Sequence, residues 1–231
     1  MNTVVISLLM THIATGSLAL LVGLIPMFSR KGNRLHKQTG LVFVYCMIVV
    51  AITALLLCAL QPVKMMRLFL TGIAVFSFYL TMTGWRATQR KTTGPGVVDW
   101  ILAYATLAVS VAMTGYGAYL LLFTDASFFP VVFSFFGVLT GVFARKDIAV
   151  YKRPVEKLHW FFQHITRMGG AYIATFTAAL VTNMDRLIPA NSPDWIITAG
   201  WIAPSIVGGM LIARTVQHYV RNLKAAKPAL V

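Results

Sequence analysis

The sequence predicts an all-α protein, a polytopic bundle of about seven transmembrane helices, and three observations support this prediction. First, 58% of the 231 residues are hydrophobic and only 11% are charged, whereas an ordinary soluble domain has about 25% charged residues. Second, apolar runs of about 18 residues or more recur along the chain, as membrane-crossing helices require. Third, these runs lack the alternation of apolar and polar residues that marks transmembrane strands. This composition excludes a disordered chain and argues against a nucleic-acid-binding protein, despite a net charge of +14.

Seven apolar runs are candidate spans, and no soluble domain separates them, so residues 1–231 are predicted to form a single membrane domain. In chain order the runs cover residues 4–28, 38–60, 66–84, 97–122, 129–144, 156–182 and 194–213. The first has no basic residues before it, which predicts a retained helix and not a cleaved signal peptide. In the second, third and fourth runs, no charged residue lies away from the ends of the run. The fifth is short and rich in phenylalanine, so a re-entrant segment is an open alternative. The first and the sixth hold most of the polar residues, and the seventh leads into a basic tail.

The basic residues predict the orientation of the bundle. Most of them lie on one side of the predicted membrane. This side holds the links between spans one and two, three and four, and five and six, together with the C-terminal tail. Its basic residues are Arg30, Lys31, Arg34, Lys37, Arg86, Arg90, Lys91, Arg145, Lys146, Lys152, Arg153, Lys157, Arg214, Arg221, Lys224 and Lys227. The other side has only Lys64, Arg67 and Arg186. Because cytoplasmic loops carry the excess of Lys and Arg, we expect the N-terminus outside and the C-terminus in the cytoplasm. The expected location is the bacterial cytoplasmic (inner) membrane, with anionic lipid headgroups beside the basic side.

Polar residues inside spans are costly and mark candidate functional sites. His12 lies in the first span, His36 lies where the second begins, and His159, His164 and Arg167 lie in the sixth. Counting helical rise from the span ends places His12, His164 and Arg167 in one layer near mid-membrane. It places His36 and His159 in a second, shallower layer. Spans one and six are therefore predicted to meet around His12, His164 and Arg167.

Arg167 is predicted to lack an acidic partner in the chain. A guanidinium is always charged, and a lone one at mid-bilayer is costly. The acidic residues all fall in loops or at predicted span ends: Asp99, Asp125, Asp147, Glu156, Asp185 and Asp194. We therefore expect Arg167 to bind carbonyls, hydroxyls, water, or an anion such as a lipid phosphate, a substrate carboxylate, chloride or a haem propionate.

Three segments resemble a bacterial family of predicted membrane proteins, domain of unknown function 2306. They are His12-x3-Gly16-Ser17-Leu18-Ala19-Leu20-x2-Gly23, Lys31-Gly32-x3-His36-x3-Gly40 and His164-x2-Arg167-Met168-Gly169-Gly170-Ala171-Tyr172-Ile173-Ala174. The resemblance covers nearly the whole chain. It implies a multi-pass bundle and draws attention to His12, His36, His164 and Arg167, but it implies no activity.

Three functions remain open. The first is a b-type haem or similar redox site, because two histidines on different helices at equal depth can ligate one iron. His12 with His164 is the best-matched pair by depth and His36 with His159 the second, with Arg167 available to the propionates. The second function is a transporter or an anion- or lipid-binding module around Arg167. The third is a structural or accessory subunit, and a homo-oligomer or a larger membrane complex is an open prediction for the assembly. A metal-dependent enzyme is disfavoured because no carboxylate is predicted near the histidines.

Overall fold

The structure is a computed structural model that describes residues 3–154, 157–189 and 192–225. Within these residues the chain forms eight α-helices and no β-strand, which confirms the all-α prediction. The helices are α1 (Thr3–Phe28), α2 (Arg34–Ala59), α3 (Met65–Gln89), α4 (Val97–Phe123), α5 (Phe128–Tyr151), α6 (His159–Val181), α7 (Met184–Leu187) and α8 (Asp194–Ala225).

Six of the described helices are long and apolar enough to cross a membrane, so this is a helical membrane protein. They are α1, α2, α3, α4, α5 and the part of α8 from Trp195 to Leu223. The fifth apolar run forms one continuous helix of 24 residues, which favours a full span over the re-entrant alternative. α6 has 23 residues but does not belong to the apolar set, because histidine, glutamine and arginine side chains lower its hydropathy.

Successive long helices run in opposite directions, and the α1–α2, α3–α4 and α5–α6 links lie at the same end of the bundle. The Lys91 amine, which follows α3, lies 4.4 Å from the ring centroid of Trp160 in the first turn of α6. Near the end of α8, Tyr219 packs against Phe161 with ring centroids 5.2 Å apart. We call this end the basic end, because it gathers the links that carry most of the Lys and Arg residues.

Small residues let α4 and α5 pack closely along their length. The facing pairs are Ser110 with Gly141, Thr114 with Gly137, and Gly117 with Ser134. A Cβ atom added to Gly137 would lie 2.5 Å from Thr114 Oγ1 and 2.7 Å from the Thr114 backbone nitrogen. Ser110 Oγ donates a hydrogen bond of 2.7 Å to the Gly137 carbonyl. Close backbone approach of this kind is a common way of joining transmembrane helices.

An aromatic cluster ties α3, α5 and α8 together towards the other end of the bundle. The ring of Phe69, which is fully buried, lies 5.0 Å from Trp201 and 5.3 Å from Phe133 between centroids, both in edge-to-face geometry. Edge-to-face aromatic pairs add about 0.5–1.5 kcal/mol beyond their burial. The bundle is thus held together by small residues in one interface and by aromatic rings in another.

Candidate functional site

Arg167 has an acidic partner inside the bundle, so the prediction of an unpaired guanidinium is wrong. Its Nη2 lies 2.5 Å from Asp147 Oδ1, and the two side chains are only 3% and 5% exposed. The apolar run ends at residue 144, but α5 continues to Tyr151. Arg145 and Lys146 are exposed on this extension, whereas Asp147 is buried. The helix persists beyond the point where its hydropathy falls, and it places one acid inside the bundle.

The pair belongs to a larger group that we call the ion-pair cluster, formed by Tyr79 on α3, Asp147 on α5 and Arg167 on α6. The Tyr79 hydroxyl donates to the second carboxylate oxygen of Asp147. Arg167 Nη2 also donates to the Phe143 carbonyl at 3.3 Å, and its guanidinium lies 4.3 Å from the Phe143 ring centroid. Three helices therefore share one buried charged contact.

Some of the hydrogen-bonding capacity of this cluster is unused. The Nε and Nη1 atoms of Arg167 are buried and have no partner among the described residues. Buried polar groups in native structures are normally satisfied by protein or water. The cluster accordingly keeps unpaired donors on Arg167, and Asp147 is its one acidic partner among the described ion pairs.

His12 binds α2 and lies away from the other histidines. Its Nδ1 is 3.1 Å from the Val50 carbonyl and 3.0 Å from Thr53 Oγ1. Because the Thr53 hydroxyl donates its own hydrogen to the Val49 carbonyl at 2.7 Å, it accepts from His12. The hydrogen of this imidazole is therefore on Nδ1, and Nε2 is the acceptor.

The predicted pairing of His12 with His164 is wrong. α1 and α6 do meet, but at Leu20, whose carbonyl accepts a hydrogen bond of 3.2 Å from the Tyr172 hydroxyl. The helices run antiparallel from that point. His12 precedes Leu20 by eight residues and His164 precedes Tyr172 by eight, so the two histidines lie towards opposite ends. At 1.5 Å of rise per residue they are about 24 Å apart along the bundle.

His36 and His164 form the histidine pair that the fold does create. Their ring centroids are 6.1 Å apart with an interplanar angle of 67°. His36 Nδ1 lies 3.0 Å from the Pro26 carbonyl, and His164 Nδ1 lies 3.0 Å from the Gly84 carbonyl. A carbonyl only accepts, so both imidazoles carry their hydrogen on Nδ1 and leave Nε2 with a free lone pair. The sequence named both residues but assigned each to a different partner.

His159 lies elsewhere at the basic end, so its predicted pairing with His36 is also wrong. It lines a polar cavity between α3, α4, α5 and α6. Its Nε2 is buried and has no partner among the described residues. His159 is thus a candidate ligand-binding residue, but in a site separate from the histidine pair.

The α1–α2 link places a cation beside the histidine pair. Lys31 Nζ donates to the Pro26 carbonyl at 2.7 Å and to the Met27 carbonyl at 2.5 Å. Partial burial lowers the pKa of this amine. Lys31 therefore closes the end of α1, next to the carbonyl that also binds His36.

The sequence contained a signal for Asp147 that hydropathy alone does not detect. Gly137, Thr140, Ala144 and Asp147 follow the spacing of one helical face, and all four are buried. Continuing that face past the end of the apolar run points to Asp147 as an interior residue. Among the described side chains, no group of three or more His, Cys, Asp or Glu residues could hold a metal ion.

Comparison with known proteins adds no assignment. No family model matches the chain, and neither a curated protein nor a solved structure matches it. The resemblance to the family of domain of unknown function 2306 stays a prediction.

Proposed function

We propose that the protein crosses the bacterial inner membrane seven times, with its N-terminus outside and its C-terminus in the cytoplasm. α6 supplies the seventh span, since its 23 residues rise about 34 Å, more than the roughly 30 Å of a hydrocarbon core. Its polar residues are accommodated because Arg167 and His164 bind other helices. The excess of Lys and Arg supports a cytoplasmic basic end.

We further propose that His36 and His164 bind a redox metal at the basic end, with b-type haem iron as the first candidate. The observation that carries this proposal is the pair of Nδ1 hydrogen bonds to backbone carbonyls. Histidines that ligate metals almost always donate their other ring N–H in this way, which fixes the tautomer and the ring orientation. Both Nε2 atoms are then free to act as ligands.

The two imidazoles are close enough for His36 and His164 to hold one metal ion together, which would supply redox chemistry when bound. The observed distance between centroids is 6.1 Å. Lys31 lies beside the pair and is suited to a haem propionate. Arg167 is less suited, because Asp147 already neutralises it.

Absorbance and metal analysis of the purified full-length protein test this proposal. We expect a Soret band, or about one bound metal ion per chain, after expression with haem and metals supplied. His36→Ala and His164→Ala should each abolish the signal. His12→Ala is the matched control, because His12 also carries its hydrogen on Nδ1 but lies between α1 and α2, away from the pair. This variant should retain the signal. Wild-type protein with neither absorbance nor bound metal would overturn the proposal, as would loss of the signal in the His12 variant alone.

A structural or accessory role is a second candidate, favoured by the ion-pair cluster. This cluster joins α3, α5 and α6 and needs no ligand to account for its charge. The transport hypothesis rested on an unpaired Arg167, and the ion pair with Asp147 takes away that basis. A structural role predicts that the Arg167 and Asp147 variants change stability while the absorbance of the purified protein stays unchanged.

A further inference from the structure

A cavity of about 110 Å³ opens at the basic end between α3, α4, α5 and α6. Its lining does not include His36 or His164, which meet where α2 and α6 approach the end of α1. The lining residues that carry its chemistry are Arg86, Arg90, Lys91, Asp99, Arg153 and His159. Four of these are cations and one is an anion, so the described lining carries an excess of positive charge.

The single acid of the lining is already bound to two of the cations. Arg86 Nε lies 2.5 Å from Asp99 Oδ1, and Arg86 Nη2 lies 3.0 Å from Oδ2. Arg90 Nη1 lies 3.4 Å from the same carboxylate and donates to the Gly94 carbonyl at 3.2 Å. These contacts have two consequences for the lining of the cavity. The two arginines are held in fixed positions at the cavity wall, and Asp99 has little charge left for Lys91 or Arg153.

The remaining groups also favour an anion. The Lys91 amine is held over the Trp160 ring, 4.4 Å from its centroid. Arg153 is exposed at the rim of the cavity. His159 has a buried Nε2 without a partner among the described residues, and this nitrogen would donate to an anion in the tautomer that carries its hydrogen on Nε2. α6 begins at this point with no side-chain cap, and a helix N-terminus carries a partial positive charge.

We propose that this cavity binds a phosphate group, either of an anionic lipid or of free phosphate. Several cations around one small polar cavity suit an anion with several oxygens, since each guanidinium and amine can donate to a different oxygen. Basic pockets between transmembrane helices are known to bind phosphorylated headgroups. Trp160 beside Lys91 is typical of the interface where those headgroups lie.

Thermal unfolding of the purified full-length protein in a neutral detergent tests the proposal. One arm titrates inorganic phosphate against chloride at constant ionic strength. The other titrates short-chain phosphatidylglycerol against phosphatidylcholine at equal lipid concentration. The cavity variant is Lys91→Gln/Arg153→Gln, in which both residues are exposed and the anchored arginines are untouched. The matched control is Arg214→Gln/Arg221→Gln, which removes equal charge from exposed positions on α8.

We expect phosphatidylglycerol to raise the melting temperature of the wild-type protein and the control variant equally, with affinity at least ten-fold weaker in the cavity variant. If inorganic phosphate also raises the melting temperature, the site binds phosphate ions. If only the lipid raises it, the site binds a lipid headgroup. No rise with either ligand overturns the proposal, and so does equal weakening in both variants. If the double variant does not fold, Arg153→Gln alone should still weaken binding while the Arg214 control does not.

Discussion

Replacing Asp147 by asparagine tests whether the ion-pair cluster stabilises the bundle. The substitution keeps the shape of the side chain but removes its charge, which leaves the guanidinium of Arg167 buried and unpaired. That guanidinium is 3% exposed, and its Nε and Nη1 already lack partners among the described residues. Solvent cannot compensate for the lost carboxylate at this depth. We therefore expect a large loss of stability.

The size of this loss follows from the geometry. Two unit charges about 4 Å apart attract by about 4 kcal/mol at an effective dielectric constant of about 20. Measured costs of removing one partner of a buried ion pair are about 3–5 kcal/mol. For a chain of this size such a loss lowers the melting temperature by on the order of 10 °C. Removing the exposed charge of the neighbouring Lys146 should change stability by less than about 0.5 kcal/mol.

Thermal unfolding of Asp147→Asn, Arg167→Gln and the double variant in one detergent provides the measurement. Lys146→Gln is the control, because it lies one residue away on the exposed face of α5. The double variant should lose less than the sum of the single losses, with a coupling of about 1–3 kcal/mol. Additive losses, or an Asp147→Asn variant as stable as Lys146→Gln, would refute the cluster as a stabilising contact.

Two further predictions concern the interfaces. Asp99→Asn should cost about 1.5–3 kcal/mol, because it replaces the two charged oxygens that bind Arg86 by one neutral amide oxygen. The exposed Asp125→Asn should be neutral in the same unfolding assay, and equal losses would contradict the role of the pair. Gly137→Ala should cost about 1–3 kcal/mol by forcing α4 and α5 apart. Gly40→Ala, whose added Cβ meets nothing within 4 Å, should be neutral or stabilising, and a Gly137 variant that unfolds like it would contradict the packing argument.

Hydropathy predicted the apolar middles of the helices well and their polar ends poorly. The third run ends at residue 84 in the sequence, but α3 continues to Gln89 and includes Arg86. The fifth ends at residue 144, but α5 continues to Tyr151 and includes Asp147. Hydropathy treats every charged residue as one that faces water. It therefore misses helical turns in which a charged side chain faces another helix.

The histidine pair was mispredicted for a different reason. Depth was counted from predicted span ends, and α6 begins at His159, so His164 lies only about 8 Å from the start of its helix. Helical rise also gives no information about which helices are neighbours. His36 and His164 meet because α1, α2 and α6 pack side by side at the basic end. That arrangement depends on packing across the whole bundle, which no local pattern encodes.

The small residues between α4 and α5 also determine how the bundle can move. The three facing pairs fall on one antiparallel register, in which each step along α4 is matched by an equal step back along α5. Sliding α5 by one helical turn would bring Phe133 against Thr114, where the backbones leave no room for a ring. This register therefore opposes a slide of α5 past α4 in that direction. We expect α4 and α5 to move together in any transition between conformations, because they share the closest backbone approach described above.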